Sequence, residues 1–171
     1  MVLGVIITGL GPLIPYLADY EERMELQYSF LFTCRAVGYI LSTFIARLTE
    51  KWLKLHQLVA LALLLQCFMI PFCFAFDLRL KGALLFISSI GTQWMNIGIN
   101  LCLISLMEKH NLHAWMQIAH GTFGIGGLLG PYFVSLLEIR TFIAFGLTAL
   151  LVIPIYLLTP SPEEKVEEGV K

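Results

Sequence analysis

The sequence predicts an all-α membrane protein of six transmembrane helices, and three observations carry that prediction. Apolar residues make up 58% of the 171 residues and charged ones only 13%. Mean hydropathy is +0.81. The apolar residues also gather into six long runs, near 1–17, 28–46, 56–76, 83–107, 115–137 and 141–158, joined by short polar loops. A helix of about 20 apolar residues crosses the roughly 30 Å hydrocarbon core of a bilayer. Backbone groups facing lipid must be satisfied within their own segment, so each run is expected as a helix.

The first run starts at the N-terminus, is the shortest of the six and contains Pro12 and Pro15. With no Lys or Arg before it and no small-residue cleavage pattern behind it, a removable signal peptide is not expected. The loop that follows is acidic, with Asp19, Glu21, Glu22 and Glu25 against Arg23. The next loop sets Arg47, Lys51 and Lys54 against Glu50. The positive-inside rule places that second loop, and both termini with it, on the cytoplasmic side. Residues 159–171 hold Pro160, Pro162 and four glutamates, a composition expected to be a disordered tail.

A net charge of −1 and the lack of any basic run argue against nucleic-acid binding. The four cysteines, Cys34, Cys67, Cys73 and Cys102, all fall inside apolar runs and read as small apolar residues. His110 and His113 have no third ligand nearby, so no metal site is expected, and no cofactor either. No nucleophile elbow, paired catalytic carboxylates or phosphate-cradling loop appears, so an enzyme is not expected.

Polar residues within the spans are the candidates for function, because their burial is costly unless they are paired or line a cavity. Arg35 lies on the order of 10 Å below the end of the second span, counted at 1.5 Å per residue. It is either a cavity residue or one that snorkels or bonds a backbone carbonyl. Gln93, Asn96 and Asn100 share one face of the fourth span, since their spacings of three, four and seven are helical. Amides both donate and accept, as sugar hydroxyls require, so the stripe suits a hydroxyl-rich ligand. Interhelical hydrogen bonding is the plainer role. Gln66 and Gln117 are expected in that plainer role. His120, in the fifth span, is either a proton relay or simply hydrogen-bonded.

Small residues at helical spacing predict close packing. They are Gly38, Ser42 and Ala46 in the second span and Gly121, Gly124, Gly127 and Gly130 in the fifth, where Gly126 and Gly130 also form G-x-x-x-G.

Three stretches resemble the N-terminal half of a major facilitator superfamily transporter: GLGPLIPYL (9–17), SFLFTCRAVGYILS (29–42) and RLTEKWLK (47–54). The branch they are most similar to is that of sodium-dependent glucose transporter-like and fucose permease-like proteins. Gly91, Gly98 and Asn100 agree with that branch's fourth-helix pattern, with Asn96 where an aspartate is common. HGTFGIGGLLGP (120–131) is similar to the fifth-helix stretch. The resemblance implies half of a twelve-helix fold, a 3+3 inverted repeat with the substrate near the midplane between two halves. It also implies symport of a small sugar-like solute with a coupling cation, the second half being supplied by a partner chain or a homodimer. Gln93, Asn96, Asn100, Arg35 and His120 would face the substrate, and Glu50, Lys51 and Lys54 would belong to the gating loop. That loop lacks both family glycines. The alternative is a non-transporting structural subunit of a larger membrane complex, or a truncated gene model.

Overall fold

The computed structural model describes residues 2–20, 25–49, 52–106 and 109–158, and all of its regular structure is helical. The helices are α1 (Val2–Tyr20), α2 (Glu25–Thr49), α3 (Leu55–Gln66), α4 (Met69–Phe74), α5 (Leu78–Leu106), α6 (Lys109–Leu137) and α7 (Arg140–Leu158). Each predicted apolar run therefore falls on helix, the third as the broken pair α3 and α4. The tail from 159, and Glu50 and Lys51 of the expected gating loop, lie outside the described residues.

Fewer helices meet the length and hydropathy demands of a membrane crossing than the six predicted. Gln27–Thr49 and Leu55–Phe74 do so alone, and Asn111–Leu137 with Arg140–Pro154 do so as a pair bent by 115°. The shortfall has physical causes. The apolar part of α1 is short, running from Leu3 to Asp19. α5 has the length, with 29 residues, but Ser88, Ser89, Thr92, Gln93, Asn96 and Asn100 dilute its apolar content. The α6–α7 bend is made at Glu138, whose φ of 50° is left-handed. That conformation costs an L-residue with a Cβ about 1–2 kcal/mol. The Glu138 N–H still reaches back to the Val134 carbonyl at 2.7 Å, closing the end of α6.

The main core sits at the end of the bundle where α1, α4 and α6 finish and α5 and α7 begin. Leu10, Leu13 and Leu17 of α1 meet Tyr28 and Leu31 of α2, Phe72 of α4, Leu85 of α5, Val134 of α6 and Phe142 of α7 there. The Phe72 and Phe142 rings lie 6.3 Å apart. Two smaller clusters, around Trp94 with Ala62 and around Val59 with Ala149, hold α3 against α5 and α7.

Helix pairing is selective. α1 packs chiefly on α6, α2 on α5, and the α3–α4 segment on α5 and α7, whereas the sequence neighbours α1 and α2 touch only slightly. Glycines make the two principal pairs close. A Cβ on Gly4 of α1 would strike the Phe123 carbonyl and lie 2.7 Å from the Gly127 nitrogen. One on Gly38 of α2 would lie 2.7 Å from the Phe86 carbonyl of α5. Gly130 meets Thr8 and Val5, and Gly127 meets the Thr8 methyl at 3.5 Å. Ser42 is fully buried, its hydroxyl bonded to the Tyr39 carbonyl. Gly121 and Gly124 depart from the expectation: nothing lies within 4 Å of either position, so they are not packing sites within this chain.

Candidate functional site

Arg35 is buried in the α2 face that looks toward α1. Its Nη2 donates to the Ile6 carbonyl at 3.1 Å, and its guanidinium lies 5.7 Å from the centre of the Tyr39 ring. Of the two roles open to it from sequence, the structure gives the carbonyl bond. A guanidinium so placed ties α2 to the backbone of α1 while the tyrosine face offsets part of its desolvation. The hydroxyl of Tyr39 is itself buried without a hydrogen-bond partner.

The amide stripe is arranged differently. Gln93 and Asn100 are half-buried and Asn96 is exposed, in the half of α5 away from the main core. Among the described residues none of the three amides makes a side-chain hydrogen bond, so they do not glue the described helices to one another. Residues on either side of Gln93 do. The Thr92 hydroxyl donates to Gln66 Oε1 of α3 at 2.8 Å, in full burial, which leaves Gln66 Nε2 unpartnered. Trp94 Nε1 donates to the Ser42 carbonyl at 3.0 Å. Ser88 and Ser89 are buried and bond the Leu85 carbonyl of their own helix.

His120 is exposed on α6, its Nδ1 2.7 Å from the Met116 carbonyl one turn earlier. Gln117 pairs with His113 at 3.1 Å on the same helix and so does not bridge helices as expected. The structure does not bring Arg35 or His120 into hydrogen-bonding contact with the amide stripe. Lys54, exposed at the start of α3, donates its N–H to Gln57 Oε1 at 3.1 Å and so helps cap that helix. Among the described residues no group of three metal-ligating side chains forms, and no disulfide joins the four cysteines.

One feature escaped the sequence reading. Lys81, which lies between the apolar runs 56–76 and 83–107, is 1% exposed, with its ammonium 5.8 Å from the centre of the Tyr28 ring. It borders a cavity of about 590 Å³ at the core end of the bundle. α1 contributes Tyr16 and Asp19 to the lining, the α4 end Cys73 to Phe76, and the α6–α7 corner Glu138 to Arg140. A lysine four residues into a helix that starts at Leu78 can point inward, and its separation from the apolar run that begins later hid this.

Among the described residues the fold is all-α, with two to three segments long and apolar enough to cross a membrane. Comparison with protein-family models, with the curated proteins and with the solved structures finds no match.

Proposed function

We propose that the chain is a six-helix membrane protein of major facilitator type, a transporter half with both termini on the cytoplasmic side. It works with a second half or a second copy and passes a small polar, sugar-like solute coupled to a cation. The observation that carries this reading is the pattern of helix pairing. If the first three spans are exchanged with the last three, α1–α6 becomes α5–α2, and the pairing of α3–α4 with α7 maps onto itself. The glycine contacts of the two exchanged pairs correspond, whereas the packing of α3 on α5 has only a slight counterpart between α7 and α1. Gly4 sits on Phe123 and Gly127, four residues apart on α6; Gly82 sits on Phe30 and Cys34, four apart on α2. An inverted repeat of two triplets has this signature. In that register Arg35 answers to Leu128.

Gln93, Asn96 and Asn100 are the solute-facing groups in this reading, because they carry donors and acceptors that no neighbour among the described residues uses. Reconstituted protein should take up a labelled sugar in a cation-dependent way. Asn96→Ala and Asn100→Ala should abolish uptake and leave thermal stability unchanged. Uptake that survives both substitutions sinks the assignment.

A second reading, a non-transporting subunit, is favoured by the broad apolar surface on α2, where Phe44 is 65% and Leu48 68% exposed. Mass measurement in mild detergent separates the two. A homodimer or a pair of halves fits transport, and a fixed place in a larger complex fits the subunit.

A further inference from the structure

Gln27–Thr49 and Leu55–Phe74 are the two stretches that meet the demands of a membrane crossing unaided. In a bilayer the short connection between them lies at one surface, where the chain leaves the first crossing and enters the second. Trp52 stands in that connection and is 86% exposed, more than any other large apolar side chain among the described residues. The turn holds it in place: the N–H groups of Trp52 and Leu53 both donate to the Thr49 carbonyl, at 2.8 and 2.9 Å. Ile40, Phe44 and Leu48 precede Trp52 at four-residue steps, and all three are exposed. Such steps keep to one side of a helix, drifting by only about 40° each. Two bases flank the tryptophan. Arg47, in the last turn of α2, and Lys54, just before α3, are exposed, and among the described residues neither forms an ion pair. Of the two charged residues between them in the sequence, Glu50 and Lys51, one offsets the other.

We propose that this corner binds an anionic phospholipid. The negative headgroup lies toward Arg47 and Lys54, the Trp52 ring sits at the depth of the glycerol, and an acyl chain runs along the stripe from Leu48 to Ile40. Tryptophan collects at the bilayer–water interface because its ring is apolar and its N–H polar. Bases beside it draw negative headgroups, each adding about fivefold to association with an anionic surface. A zwitterionic headgroup brings an ammonium to the same bases and gains less. The corner lies at the end of the bundle away from the main core, and its lipid preference does not rest on transport.

The test places the full chain in phosphatidylcholine vesicles in which part of the lipid is brominated and quenches any tryptophan it touches. Trp115→Phe removes the other exposed indole, leaving Trp52 as the reporter beside the buried Trp94. At equal mole fraction, brominated phosphatidylglycerol should quench Trp52 more than brominated phosphatidylcholine does. Arg47→Gln and Lys54→Gln should each lower that preference about fivefold, and together they should abolish it. At 1 M salt, where the screening length is about 3 Å, the preference should also shrink. Arg79→Gln, at the start of α5 and the opposite end of the bundle, should leave it unchanged. Equal quenching by the two lipids, or a preference that survives the double substitution or high salt, overturns the proposal. Quenching by neither lipid would mean that another chain covers the stripe, and overturns it too. Should a variant fail to fold, the two lipids compared on the natural protein at low and high salt still decide.

Discussion

The indole nitrogen of Trp94 on α5 donates to the Ser42 carbonyl of α2 across 3.0 Å, with both residues buried. A carbonyl inside a helix has a second lone pair, and here the neighbouring helix uses it. Trp94→Phe keeps an aromatic ring but removes the donor and part of the ring's volume. An interhelical bond of this kind is worth about 0.6–1.5 kcal/mol. Unfolding in detergent should therefore begin about 2–6 °C lower. An unchanged Tm would mean that the bond contributes nothing.

Two glycines of similar appearance in the sequence should respond oppositely to alanine. At Gly38 the new methyl lies 2.7 Å from the Phe86 carbonyl and 3.0 Å from the Ser89 Cβ, so α2 and α5 must move apart. Overpacking of that kind costs about 1–3 kcal/mol. At Gly124 nothing lies within 4 Å, and alanine brings only better helix propensity, about 0.5–1 kcal/mol. Thermal melts of G38A and G124A should shift in opposite directions.

Tyr39→Phe should be neutral or stabilising. The hydroxyl it removes is buried without a partner, at a desolvation cost of about 1–3 kcal/mol. The ring that faces Arg35 remains. A clear loss of Tm would show that the hydroxyl has a partner.

Thr92→Val should lower stability by about 1–3 kcal/mol, because Gln66 then has neither end of its amide satisfied. Adding Gln66→Leu removes the stranded group, so the double variant should be more stable than Thr92→Val alone. Two losses that simply add would show that the pair is not coupled.

Helix positions were readable from hydropathy because six apolar runs leave little freedom over where helices can lie. The break at Cys67 and Phe68 was not readable, since neither residue is a helix breaker; Gln66 precedes it and Pro71 comes later. The glycines of α6 show how spacing can mislead. Steps of three residues turn 300°, so each glycine slips 60° around the helix. Gly121 and Gly130 thus point to opposite sides, and only the later pair, Gly127 and Gly130, meets α1. Small residues four apart stay closer to one face, as Gly38 and Ser42 do. Lys81 is not legible as a core residue because charge beside an apolar run reads as loop, although the helix beginning at Leu78 carries the residue inward. Arg35 was found, but its partner is the backbone oxygen of Ile6, which no side-chain pattern can announce.

The pairing of α1 with α6 also dictates an order of events during synthesis. Gly4 and Thr8 emerge first, yet the surface they fit, from Phe123 to Gly130, is made more than a hundred residues later. α2 likewise waits for α5. The early helices therefore lack their final neighbours until the later helices have been made, and chaperoning or early degradation would act on them in that interval.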